Sequence, residues 1–100
     1  MNDTEEKHLS FILSSKNRLK IILLLNNEVL STKDISLKSD LAITSVSRTI
    51  SELKNADIIL PIKKDFNNLR NNLWKLNSEI CTPNLLNEIN KKAVLRNIKI

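Results

Sequence analysis

The chain has 100 residues, 41% of them hydrophobic, and a net charge of +5; one domain with a single modest core is expected of these residues, which are too few for two. A single Cys81 and a single His8 exclude an intramolecular disulfide and a Cys/His zinc cluster. The longest aliphatic run, Ile21 to Leu25, falls far short of the ~20 residues that cross a bilayer. Basic and acidic residues balance at eight each up to Ile62, whereas eight basic and three acidic residues follow it. The excess positive charge therefore lies in the last two fifths, a distribution suited to a polyanionic partner. The N-terminal "MNDTEE" is acidic where a secretion signal is basic, so a cytoplasmic, non-membrane protein is expected. Glycine is absent, which removes Gly-rich phosphate loops and leaves the turns to Asn and Asp.

Apolar spacing predicts a first helix from Asp3 or Thr4 to Ser14, with Leu9, Ile12 and Leu13 on one face and Phe11 turned toward a partner. A second helix is expected over Lys16–Asn26, with Leu19, Ile22, Leu23 and Leu25 inward and a left-handed cap at Asn26–Asn27. Ser31 or Thr32 caps a short third helix that carries Asp34 in its first turn and Ile35 inward, and stops near Ser39–Asp40. A fourth helix follows from about Thr44 to Asn55. Val46, Ile50 and Leu53 form its apolar stripe, leaving Thr44, Ser45, Ser47, Arg48, Thr49, Ser51 and Lys54 as a polar face. Glu52 stands at i+4 from Arg48, the spacing of a surface ion pair.

After Asp57 the period changes to two. "IILPIKK" and "NLWKLN" read as strands, with Pro61 pointing to an edge, joined by the basic tip "KKDFNNLRNN". Trp74 is assigned to the core, Cys81 to a buried apolar position and His8 to an exposed helix position. Thr82 and Pro83 are the N-cap and first residue of a last helix. Its Leu85, Leu86, Ile89 and Ala93 share a face, while Val94, Leu95 and Ile98 fall elsewhere, so its end is expected to meet a partner or fray.

The expected fold is mainly α with a small β-hairpin: one winged helix-turn-helix domain (1–100), with an N-terminal helix (1–14), the helix-turn-helix and wing (15–77) and a C-terminal dimerisation helix (82–100). Small hydroxyl side chains on the fourth helix let its backbone approach DNA while donating to phosphates or bases, and arginine matches guanine O6 and N7. Thr44, Ser45, Ser47, Arg48, Thr49, Ser51 and Lys54 are therefore the candidate groove residues; Lys63, Lys64, Asn68 and Arg70 the wing contacts; Thr32 and Lys33 backbone contacts. Leu9, Phe11, Ile12, Leu85, Leu86 and Ile89 are the candidate dimer interface. Phe66 and Leu69 at the wing tip have no assigned role.

From Leu13 to Ile59 the chain resembles the ArsR family of winged-helix transcription regulators. "LSSKNRLKIILLL" is similar to that family's second-helix signature through Arg18, Leu19 and Ile21; "LSTKDIS" to its third-helix start; "SVSRTISELKNADII" to its recognition helix through Val46, Ser47, Arg48, Leu53 and Ile58; "LWKL" to the end of its wing. The MarR family shares the recognition-helix pattern. The resemblance implies a homodimer on pseudo-palindromic double-stranded DNA. The Cys-based metal site of sensing members has no counterpart in "STKDISLKS", so neither metal nor cofactor is expected. Asp40 and Asp57 stand where the family usually has glycine, and Ala42 where it often has a capping serine, which leaves Thr44 as the candidate cap. Glu5 and Glu6, adjacent on a helix, face apart, and no Ser/His/Asp set assembles, so no catalytic residue is expected. Two other roles fit the pattern: a partition or packaging protein spreading on repeated sites, and a winged helix that binds protein.

Overall fold

The computed structural model describes residues 2–62 and 72–98. In chain order the elements are α1 (Asp3–Leu13), α2 (Lys16–Asn27), β1 (Leu30–Ser31), α3 (Thr32–Ser39), α4 (Ile43–Asn55), β2 (Ile59–Ile62), β3 (Leu73–Leu76) and α5 (Pro83–Leu95). Four of the five helices start on a side chain that accepts a backbone N–H three residues on: Asn2, Ser15, Ser31 and Thr82.

α2 is the central element and packs against α1, α3, α4, α5 and β3. Its Leu19, Ile21, Ile22, Leu24 and Leu25 are all buried, the all-round apolar character of a helix enclosed by neighbours. Ile21 and Leu24 lie outside the single face expected for it. Around α2 gather Ile12, Ile35, Val46, Ile50, Leu53, Ile58, Ile59, Trp74, Leu85 and Ile89, in one contiguous core.

The antiparallel sheet has strand order β1-β3-β2. Leu30 and Ser31 face Trp74 and Leu73, and Ile59 to Ile62 run against Leu76 to Leu73. β1 is an addition to the expected hairpin; two residues are too short for alternation to mark. Pro61 sits in the outer strand β2, where its missing N–H costs no ladder bond. The hairpin tip, residues 63–71, lies outside the described residues.

Without glycine, three Asx residues take the left-handed conformation: Asp40 (φ 62°), Asp57 (φ 59°) and Asn97 (φ 54°). After Asp57, the Ile58 N–H reaches back to the Leu53 carbonyl (3.0 Å); after Asn97, the Ile98 N–H reaches the Ala93 carbonyl (3.0 Å). Both are Schellman closures, and each turns an isoleucine onto the core. α5 thus ends on a defined stop, with Arg96 Nη1 donating to the Leu13 carbonyl at 2.6 Å. The expected left-handed cap at Asn26–Asn27 does not form: α2 ends on Glu28 in extended backbone (φ −159°) that leads directly into β1.

Candidate nucleic-acid interface

The turn between α3 and α4 spans Asp40, Leu41 and Ala42 and is closed by hydroxyls. Ser36 Oγ donates to the Leu41 carbonyl (2.6 Å), Ser39 Oγ to the Ser36 carbonyl (3.5 Å), and the Leu41 N–H donates to Ser39 Oγ (3.3 Å). Ser39, buried to 4% exposure, is satisfied by these bonds. They fix the angle at which α4 leaves α3, because a left-handed Asp40 alone would leave Leu41 free to rotate.

α4 presents two faces. Val46, Thr49, Ile50 and Leu53 are buried; Thr44, Ser47, Arg48, Ser51 and Lys54 are exposed and Ser45 is half-buried. Five of the seven expected groove residues therefore share an open face. Thr49 does not. It is 4% exposed and its hydroxyl donates to the Ser45 carbonyl at 2.9 Å, so the helix absorbs its polar group and its methyl joins the core. Thr44 is not the helix cap: α4 begins at Ile43, and its N-cap, Ala42, offers no side-chain acceptor.

The Arg48–Glu52 pair is also absent. Glu52 Oε2 instead pairs with Arg18 Nη2 from α2 (3.2 Å), and among the described residues no ion pair involves Arg48. Arg18 was legible only as part of a family-like signature. Its Nη1 donates to the Phe11 carbonyl (2.9 Å) and Ser14 Oγ (2.8 Å), and its guanidinium lies 3.9 Å over the Phe11 ring. Phe11, expected to face a partner, is thus half-buried under Arg18.

Of the two expected backbone contacts, Lys33 is exposed, whereas Thr32 is half-buried and its Oγ1 accepts the Trp74 indole N–H at 3.0 Å. That bond ties the central strand to the first turn of α3 and so sets the hairpin against the helix-turn-helix. Lys38 pairs with Glu28 at 2.8 Å; this hydrogen bond, then the charge of Glu28, raise its pKa above the ordinary lysine value. The wing candidates Lys63, Lys64, Asn68 and Arg70, with Phe66 and Leu69, lie outside the described residues.

The expected dimer set divides. Ile12 and Leu85 are 0% exposed and Ile89 1%, consumed by the monomer's own core and unable to touch a second chain; Leu9, Phe11 and Leu86 are half-buried against that core. The large apolar side chains that α5 leaves open are Val94 and Leu95, 75% and 76% exposed. Among the described residues no cluster of three metal-ligating side chains occurs, and no helix is long and apolar enough to cross a membrane.

No family model and no curated protein matches the sequence. Solved structures do match the fold. The adhesin competence repressor AdcR of Streptococcus pyogenes superposes with a TM-score of 0.68 at 17% identity, over 82% of this chain and 59% of that one. This chain thus spans less than two thirds of that repressor. The homodimeric winged helix-turn-helix DNA-binding domain of a possible ArsR-family transcriptional regulator from Mycobacterium bovis gives 0.68 at 13% identity, over 96% and 86% of the two chains. The antimony-specific transcriptional repressor AntR gives 0.70 at 17% identity, over 93% and 78%. Helix order, the hydroxyl-locked turn, the open polar face of α4 and the three-stranded sheet converge with these superpositions on one architecture: the chain has a winged helix-turn-helix fold.

Proposed function

We propose that the chain is a sequence-specific double-stranded DNA-binding transcriptional regulator of the ArsR/MarR type, acting as a cytoplasmic homodimer without an enzymatic activity. The observation that carries this reading is the outward face of α4, where Thr44, Ser47, Arg48, Ser51 and Lys54 stand exposed together behind a rigid turn. Small donors with one arginine fork and one lysine match a major groove. The superposed structures include two repressors and a homodimeric DNA-binding domain, and the reading extends that likeness of fold to this chain. Lys33 and the basic wing residues Lys63, Lys64 and Arg70 would follow the phosphates. Two copies would set their α4 helices ~34 Å apart, one turn of DNA.

Fluorescence-anisotropy titration of duplexes tiled from the gene's upstream region, against scrambled controls and across a salt series, tests the proposal. One preferred duplex with a two-fold footprint is the expected result. Equal, steeply salt-dependent binding to every duplex would instead indicate packaging, and no binding at low salt would indicate a protein partner. The roles within the interface separate by mutation: Arg48→Ala should cost ~1–3 kcal/mol on the preferred duplex and relax base preference, whereas Lys33→Ala should weaken all duplexes alike. Normal discrimination by Arg48→Ala would remove α4 from the groove.

A further inference from the structure

α4 carries a single carboxylate, Glu52, on a helix whose other polar side chains are cationic or neutral. Glu52 stands at i+4 from Arg48, the spacing at which the two would pair on an isolated helix. It pairs instead with Arg18 of α2, and among the described residues no ion pair involves Arg48. The choice follows from what each arginine gives up. Arg48 is exposed, so gripping Glu52 would freeze a long side chain that solvent leaves free. Arg18 is already fixed: the Phe11 carbonyl and Ser14 hydroxyl hold its Nη1, the Phe11 ring lies against the guanidinium, and its Nε is buried without a partner. A cation so far withdrawn from water requires a counter-charge. Among the described residues Glu52 is the one that supplies it.

An arginine that reads a base has to be unpaired when the duplex arrives, because a carboxylate on its fork occupies the donors that guanine O6 and N7 would take. Resting on the DNA-binding reading above, we infer that Arg18 is a positioning residue for Arg48: by holding Glu52 toward α2 and α1 it keeps the i+4 carboxylate off Arg48, and so sets DNA affinity and base preference without touching DNA. Arg18 also neutralises the one negative charge that α4 would otherwise bring toward the phosphates. The clamp on α1 is what makes this work, since an arginine free to follow Glu52 outward would not draw the carboxylate away from the groove face.

The test is anisotropy titration of a tight duplex, selected from a randomised pool, with the full chain, Arg18→Gln and Arg18→Gln/Glu52→Gln, repeated for the first two in an Arg48→Ala background. Circular-dichroism melts set the assay temperature below the lowest transition. Arg18→Gln should weaken binding about two- to fivefold, the equilibrium worth of one exposed ion pair. That loss should vanish in Arg18→Gln/Glu52→Gln, which has no carboxylate to release, and in Arg48→Ala, which has no arginine to receive it. A merely structural Arg18 predicts neither rescue, because both proteins still lack its fork to α1. If the loss persists in either, or Arg18→Gln binds as tightly as the native chain, the inference is overturned while the DNA-binding reading stands. If Arg18→Gln does not fold, the arginine Nε–Hε NMR signals of the native chain and Glu52→Gln decide: the Arg18 signal should move and the Arg48 signal stay, and movement of the Arg48 signal overturns the inference. A native chain that selects no duplex overturns both readings.

Discussion

Arg18 shows how one side chain can hold three elements. Planted on α2, it reaches the last turn of α1 through the Phe11 carbonyl and Ser14, and α4 through Glu52. Its side chain is 16% exposed while Glu52 is 40% exposed, so the pair is screened on one side only and its Coulombic worth is modest. The geometric worth is larger, because only a planar fork makes these bonds at once; a lysine ammonium is a point donor. Arg18→Lys should lower stability by about 1–3 kcal/mol, the cost of leaving part-buried acceptors unpaired, read as a fall in the urea midpoint at constant slope. Glu52→Gln should cost less, since its amide still accepts from Arg18. Equal losses in the two variants would mean that the ion pair, rather than the fork to α1, dominates.

At the same scale stands Cys81, buried at 5% exposure with Sγ 3.6 Å from the Ile58 carbonyl. Burial pushes the thiol up from its ordinary value near 9.0 to about 11. The folded chain then holds this proton between pH 9 and 11 while the unfolded chain releases it, so the thiol's contribution to stability is complete below 9 and is lost as pH rises toward 11. Urea midpoints at pH 8 and pH 10.5 should fall more for the native chain than for Cys81→Ala; parallel falls would remove Cys81 from the alkaline transition. A buried, protonated thiol should also react with a disulfide reagent only as fast as the fold opens.

At the scale of elements, α4 separates what a sequence can disclose from what only packing decides. The Val46, Ile50, Leu53 stripe was legible because its period of 3.6 is a property of the chain alone. Thr49 was not: on a helical wheel it borders that stripe, and whether its hydroxyl bonds to DNA or back to the Ser45 carbonyl depends on how closely neighbouring elements approach. Helix ends divide in the same way. Asp40 and Asp57 were readable as glycine substitutes, but Asn26–Asn27 carries the same chemistry and stays right-handed, because β1 must leave α2 in extended backbone to pair with Trp74 and Leu73. The uncapped start of α4 gives an element-scale prediction. Ala42 has the extended backbone of an N-cap (φ −60°, ψ 142°) without an acceptor, so Ala42→Ser should stabilise the chain by about 0.5–2 kcal/mol, seen as a higher melting temperature. No gain would mean that solvent already satisfies the exposed N–H groups of the helix start as well as a serine would.

At the scale of the molecule, the buried face of α5 decides where a dimer can form. Leu85, Ile89 and Ala93 repeat at helical spacing, and such a stripe reads in sequence as an interface or a core with equal ease. Here α1 and α2 cover it, and the Schellman stop at Asn97 folds Ile98 back onto the same core. What remains outside is the other face at the helix end, Val94 and Leu95. A homodimer built on this surface responds to substitution in a pattern that a core does not. Leu95→Glu should leave the subunit folded, with only the drop in melting temperature that weaker association brings, and weaken self-association about tenfold or more, since burying a leucine is worth ~1.5–3 kcal/mol. Ile89→Glu should unfold the chain by placing a charge in the core. Sedimentation equilibrium with circular dichroism on the three proteins separates these cases. If Leu95→Glu associates as tightly as the native chain, the contact lies elsewhere and the exposed end of α5 has another use. If it becomes monomeric and folded, binding to a half-site duplex should persist at reduced affinity, because the α4 face is complete within one subunit.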